Sequence, residues 1–255
     1  MPPQFIRIDH DRPFLDIIKE SAKQFHPYPE KLVKLFEEID RAHFVPEELS
    51  DFLPYVYTDR GRAGLLSQPW VIFRMCALLF LTGKETVFEG GTGTGYQTAI
   101  MARLCKHVYS VERDPKRVEF AKDRLAKLGI ENVTIMQGDA AEGLPHSAPF
   151  DRMIFGCAFS QDHVEQDLLD QMAEQQSRLI APTGQYRDGR VYGDILRVEK
   201  RRGEVKQEVI NAFANTLYFV PLVSPRPVGW TWQKDRYVPS SQVHQRKWWQ
   251  FWRVS

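Results

Sequence analysis

The stretch Val87-Phe88-Glu89-Gly90-Gly91-Thr92-Gly93-Thr94-Gly95-Tyr96-Gln97 carries the fold of this chain. Val87 and Phe88 suit a buried strand, and Thr98, Ala99, Ile100, Met101 and Ala102 continue as a helix beyond the turn. Between them, Gly91, Gly93 and Gly95 permit positive φ and let a ligand approach the backbone with no Cβ in the way. A dinucleotide fingerprint needs G-x-G-x-x-G, and its third glycine would fall at Tyr96. That spacing does not fit. What stands here is E-x-G-x-G-x-G. A tight turn without a ligand is the plainer alternative, but it leaves the preceding strand, the acid and three spaced glycines as coincidence.

Outward from the turn, a β-α rhythm runs toward the C-terminus. The pattern predicts strands at 86–89, 107–112, 132–137, 150–157 and 178–182, with helices at 96–105, 116–128 and 164–174. Gly129 ends the amphipathic helix in which Val118, Ala121, Leu125 and Leu128 face inward. Two final strands, near 192–199 and 216–223, flank a turn at Arg202-Gly203 whose short connection allows antiparallel pairing. Alternation of this kind predicts an α/β fold with a doubly wound, mostly parallel sheet, helices on both faces and an antiparallel C-terminal strand. Upstream, helices are expected at 14–25, 30–42 and 69–81, the last opened by Pro69. Residues 47–66 read as loops and short turns. Residues 1–82 are therefore read as a helical cap with substrate-side loops, 83–224 as the Rossmann-like core and 225–255 as an extension.

The E-x-G-x-G-x-G turn resembles the first motif of S-adenosylmethionine-dependent methyltransferases. In an open α/β sheet, ligands bind outside the carboxyl ends of the strands, and three such ends carry matching chemistry. Glu89 and the turn Gly91–Tyr96 close the first. Glu112-Arg113 closes the second, where the Glu112 carboxylate can accept from both ribose hydroxyls. Gly138-Asp139-Ala140 closes the third, where Asp139 can accept from the adenine amino group while Gly138 keeps the backbone close. The plainer readings are a surface acid for Glu112 and a turn former or helix cap for Asp139.

From about residue 36 to 223 the chain resembles the protein-L-isoaspartate O-methyltransferase family. The segments that carry the resemblance are Ile39–Glu47, Leu66-Ser67-Gln68-Pro69, Glu89–Ala99, Ser110-Val111-Glu112-Arg113, Ala148-Pro149-Phe150-Asp151 and Phe219-Val220-Pro221-Leu222. The resemblance implies a methyltransferase fold of the S-adenosyl-L-methionine type, with S-adenosyl-L-homocysteine as product and the free carboxylate of isoaspartyl residues in proteins or peptides as acceptor. It also implies that Ser67 lies beside the reacting groups, its hydroxyl orienting the carboxylate. The alternative for Ser67 is the N-cap of the helix begun by Pro69.

The acceptor-side segments depart from the family pattern. A polar Gln-Thr pair before the serine is here Gly64-Leu65, Thr58-Asp59-Arg60 replaces a proline-containing stretch, and both prolines are missing from the loop at 155–163. Two further readings therefore stand beside isoaspartyl methylation: a related methyltransferase with a different peptide or small-molecule acceptor, and a non-catalytic cofactor-binding adaptor. Arg60 and Arg62 are new cations there, read as solvated loop charges more readily than as anion contacts. Cys157 and His163 could suggest a nucleophile and base, but methyl transfer needs no covalent intermediate.

Composition bounds the rest. The chain has 255 residues, a net charge of +1 and three cysteines, Cys76, Cys105 and Cys157, with no C-x-x-C pair. No metal site is expected, a reducing cytoplasm is favoured, and the N-terminus lacks the apolar run of a signal peptide. Residues 225–255 hold six cations against one acid, a local charge of +5 that leaves −4 for the remainder, and five of the six tryptophans. The cluster Arg246–Arg253 can be a membrane-surface anchor, a partner-docking peptide or a segment folded back over its own domain, the last being favoured. The acidic remainder offers no extended basic face, so nucleic-acid binding is not expected, and a monomer is.

Overall fold

A computed structural model describes residues 13–27, 29–58, 66–159, 164–187, 190–210, 217–219, 230–233 and 236–239. Arg60, Arg62, Gly64, Leu65, His163 and the aromatic cluster at 246–253 lie outside the described residues.

The chain builds α1 (Phe14–Ala22), α2 (Glu30–Glu38), α3 (Pro69–Leu79), β1 (Thr86–Gly90), α4 (Tyr96–Ala102), β2 (His107–Glu112), α5 (Pro115–Lys127) and β3 (Val133–Gln137). It continues with β4 (Arg152–Phe155), α6 (Gln166–Leu169), β5 (Gln176–Arg187), β6 (Arg190–Arg201), β7 (Glu204–Ile210) and β8 (Leu217–Phe219). A separate two-stranded pair is formed by β9 (Trp230–Gln233) and β10 (Arg236–Pro239). Among the described residues the main sheet has eight strands in the order β3-β2-β1-β4-β5-β6-β7, with β8 also on β6. Strands β1 to β5 pair in parallel, whereas β6 pairs antiparallel with β5, β7 and β8. Strand order reverses at the β1/β4 boundary, the place where an open α/β sheet binds ligands.

Alternation along the strands sends side chains to two cores. Val87, Val108, Ile135, Ile154, Ile180 and Ile195 face one core together with the buried sides of α1 to α5. Phe88, Val111, Met153, Phe155, Leu179, Leu196 and Val198 face the other. The expected helices on both faces are thus unequal. Among the described residues, five helices cover the first face, while Phe159, Val164, the short α6 and Met172 pack on the second. Helix α3 is buried nearly all round because it lies between α1 and α2 on one side and the sheet on the other.

Three expectations change. The helix expected to run to Ala42 stops at Glu38, where Ile39 turns extended and Asp40 accepts the Ala42 N–H (2.9 Å) to start a 3-10 turn over Arg41–Phe44. The helix expected over 164–174 shrinks to Gln166–Leu169, because residues 171–173 are drawn into pairing with Phe150 through Phe150 N–H to Gln171 O (2.8 Å) and Ala173 N–H to Phe150 O (2.9 Å). Strand β7 stands where the sequence pattern predicts no strand. The Arg202-Gly203 turn has positive φ at both residues, 52° and 81°, the geometry of a two-residue hairpin, so its partner strand starts at once at Glu204. The later strand still pairs antiparallel with β6, as Leu217–Phe219 on Val191–Gly193.

Candidate active site

The turn leaves β1 with Gly91, Gly93 and Gly95 at φ of 91°, 57° and 90°, a region that side chains with a Cβ rarely adopt. Gly91 donates to Val111 O (2.8 Å) and Gly95 to Thr92 O (3.0 Å), which curls the turn against the end of β2 before α4 begins. Gly90 is required for a different reason. A Cβ there would lie 2.5 Å from the Phe155 ring.

Glu89 does not face the turn's open side. It is fully buried, and its carboxylate accepts from Thr98 Oγ1 (2.5 Å), Ser110 Oγ (2.7 Å) and Gln97 Nε2 (3.0 Å). Thr92 Oγ1 and Ser110 Oγ are 2.5 Å apart, so the network ties β1, the turn, β2 and α4 together. Burial pushes the Glu89 carboxyl up to about 7, with the Glu112 charge adding to the rise, against three hydrogen bonds that favour the ionised form.

Glu112 is 8% exposed at the end of β2. Its Oε2 accepts the Gly93 N–H (2.8 Å), and its Oε1 accepts those of Arg113 (2.9 Å) and Asp114 (3.0 Å). The carboxylate is therefore fixed to the glycine turn, not loose on the surface. A carboxylate has about four acceptor positions, so Oε2 retains capacity for a further donor.

Asp139 does what its plainer reading anticipated and more. Its Oδ1 accepts the Ala141 N–H (3.0 Å) at the start of a 3-10 turn, and its Oδ2 pairs with Arg113 Nη2 (2.7 Å) across the ends of β2 and β3. Gly138 lies where a Cβ would come within 3.3 Å of Val111 Cγ1. Ala140 turns its methyl toward Gly90 and Phe155, into the second core. Tyr96 is likewise placed differently from a residue lining a cleft. Its ring is 1% exposed and is enclosed by Phe36 (centroids 6.1 Å), Phe44 (5.5 Å) and Arg41, whose Cζ stands 5.3 Å from the ring centroid.

Ser67 is exposed, between the buried Leu66 and the start of α3. The N-cap position belongs to Gln68, with Pro69 following, so the capping alternative for Ser67 does not hold. Its carbonyl accepts from Arg41 Nη2 at 2.7 Å. Cys157 sits at the end of β4 with Sγ 3.9 Å from Gly90 O, and burial raises its thiol to about 12. It stays protonated and is no nucleophile at neutral pH. Among the described residues, no group of three or more His, Cys, Asp or Glu side chains could hold a metal ion.

Sequence reasoning missed Arg41 as a buried residue, along with Thr92, Thr98 and Ser110 as the shell around Glu89. The one available signal for Ser110 was register, since it lies directly opposite Glu89 in the β1–β2 pairing.

The strand order and the acid-glycine turn at its switch point define a Rossmann-like methyltransferase of the S-adenosylmethionine-dependent class. The family model described as Protein-L-isoaspartate(D-aspartate) O-methyltransferase matches residues 16–226. The protein-L-isoaspartate O-methyltransferase of Halorhodospira halophila is 36% identical over 200 residues, covering 77% of this chain and 86% of its own. That of Aliivibrio fischeri is 35% identical over 215 residues, covering 82% and 95%. A solved protein-L-isoaspartate O-methyltransferase superposes with a TM-score of 0.63 at 25% identity, over 83% of this chain and 65% of that one. A Plasmodium falciparum structure described as a beta-aspartate methyltransferase in complex with S-adenosyl-L-homocysteine shares the fold, with a TM-score of 0.58 at 16% identity over 83% and 99%. The chain belongs to the protein-L-isoaspartate O-methyltransferase family.

Proposed function

We propose that this protein transfers a methyl group from S-adenosylmethionine to the free carboxylate of L-isoaspartyl residues in peptides or proteins. The observation that carries the reading is the held carboxylate of Glu112 beside three positive-φ glycines, in a chain of this family. The residues present fit the cofactor. Glu112 Oε2 keeps acceptor capacity for a ribose hydroxyl, and Gly91 and Gly93 keep the backbone open to close approach. Asp139, already fixed by Arg113, is the acceptor offered to the adenine amino group.

When bound, the cofactor supplies an electrophilic methyl group on a sulfonium. The acceptor carboxylate is already ionised at neutral pH, so the protein needs no strong base. The thiol of Cys157, held protonated, fits that economy. What the chain must do is position and exclude water, which contributes roughly 7–11 kcal/mol in favourable cases. Ser67 is assigned to the acceptor side, its hydroxyl donating to one carboxylate oxygen so that the other faces the methyl group.

The test supplies an isoaspartyl peptide and isotopically labelled cofactor. Base-labile label on the peptide is the expected result. Cofactor binding with label only on another acceptor would replace this reading with the second one, which the departures at 58–66 and 155–163 favour. Cofactor binding with no methylation of the isoaspartyl peptide or of lysate proteins would favour the adaptor. For the cofactor half, Glu112→Ala is expected to weaken S-adenosylhomocysteine binding roughly tenfold to a hundredfold by calorimetry. Unchanged affinity would remove Glu112 from the assignment.

A further inference from the structure

We infer that Arg41 is a positioning residue that locks the acceptor-side Ser67 to the cofactor turn; the inference rests on the role proposed above for Ser67. Three observations converge on it. Arg41 is 0% exposed, a rare state for a guanidinium, which loses its hydration there. Its Nη2 donates to Ser67 O at 2.7 Å. Its Cζ stands 5.3 Å from the centroid of Tyr96, the first residue after the three-glycine turn. One group therefore contacts both Ser67 and the buried residue that follows the glycine turn, 29 positions apart in sequence from Ser67 to Tyr96.

The segment that presents Arg41 is itself braced. Asp40 Oδ1 accepts the Ala42 N–H (2.9 Å) and the Tyr57 hydroxyl (2.8 Å). His43 Nε2 lies 3.1 Å from Arg124 O on α5. Phe44 packs edge-on to Tyr96, and its Cε1 would be 3.7 Å from a Cβ on Gly95. The 3-10 turn Arg41–Phe44 thus presses on the end of the glycine turn while Arg41 reaches to the residue before Gln68. A lysine at this position would keep the charge but would lack the fixed fork that lets one group donate to Ser67 O while its cation stands over the Tyr96 ring. Placement within about 1 Å decides the rate of an in-line transfer, by as much as about a hundredfold.

The experiment is a double-mutant cycle on the full chain with Arg41→Lys and Ser67→Ala. Methylation of an isoaspartyl peptide is read as kcat per cofactor site titrated with S-adenosylhomocysteine, alongside the KM of each substrate. Arg41→Lys is expected to lower kcat per titrated site about tenfold or more and to leave cofactor affinity within about threefold. In the Ser67→Ala background the same change is expected to cost less than about twofold, because the group it positions is already gone. A merely structural role would lower the number of titratable sites without changing kcat per site. Additive effects, or an Arg41→Lys protein with unchanged kcat per site, overturn the inference while leaving Ser67 in place. A neutral Ser67→Ala instead removes the Ser67 reading and this inference with it. Should Arg41→Lys not fold, the wild-type protein carries the test by amide exchange. S-adenosylhomocysteine is then expected to slow exchange at residues 66–72 together with 96–100, and slowing confined to 96–100 overturns the inference.

Discussion

At the scale of single residues, the site is built from carboxylates in opposite situations. Glu112 is held by backbone donors at the end of β2, whereas Glu89 is fully buried. Because burial raises the Glu89 carboxyl from the ordinary range to about 7, its protonated form favours the folded state. That contribution is complete below about pH 4.5 and is lost as pH rises through about 7. The stability difference between wild type and Glu89→Gln, from urea unfolding, is therefore expected to shift against the wild type by roughly 2–3 kcal/mol between about pH 5 and pH 8. Parallel pH profiles would contradict the burial account. A second change probes steric fit alone. Gly90→Ala is expected to destabilise the fold by about 1–3 kcal/mol, since its methyl would enter the Phe155 ring; equal midpoints in denaturant would rule that out. The glycines and acids were legible because each motif is contiguous in sequence. The burial of Arg41 was not, because an arginine between two short elements is ordinarily solvated, and only tertiary packing places Tyr96 and Ser67 against it.

Among elements, α3 shows how the segment bearing Ser67 is joined to the sheet. Its last carbonyls have no partner within the helix. Arg178 Nη1 donates to Leu78 O (2.6 Å) and Arg152 Nε to Leu79 O (2.7 Å), so cations on β5 and β4 finish the helix. Arg178 also pairs with Glu199 (2.6 Å) and lies over the Phe80 ring (4.7 Å). Arg178→Ala is expected to lower stability by about 1–3 kcal/mol with cofactor affinity unchanged, as these contacts lie at the other end of α3 from Ser67. A loss of affinity without a loss of stability would contradict that division. Elements with strong periodicity, α1, α3, α5 and the strands β1 to β4, were legible within a few residues. The failures have physical causes. Gln171 leaves the expected helix because its side chain accepts the Leu144 N–H (2.6 Å) and donates to Glu142 O (3.0 Å), long-range bonds that local propensity does not encode. Strand β7 hid because it is an edge strand with Val205 and Val209 exposed and charged residues interleaved, so no buried face marked it.

For the whole molecule, the reversal of strand order between β1 and β4 brings the three-glycine turn and the Gly156-Cys157 corner side by side, joined by Gly156 N–H to Gly90 O at 2.8 Å. The five helices α1 to α5 share one continuous core with the sheet, so the segment bearing Ser67 is anchored in the same packing as the glycine turn. No helix among the described residues is long and apolar enough to cross a membrane. The central claim is that this framework serves methyl transfer to an isoaspartyl carboxylate. Its most direct test incubates a matched peptide pair, one with L-isoaspartate and one with L-aspartate at the same position, with S-adenosylmethionine and the full chain, and reads methyl incorporation by mass spectrometry. Methylation of the isoaspartyl peptide alone, reduced about tenfold to a hundredfold per titrated cofactor site in Ser67→Ala, is the expected result. A protein that binds S-adenosylhomocysteine yet methylates neither peptide, or both equally, would contradict the account.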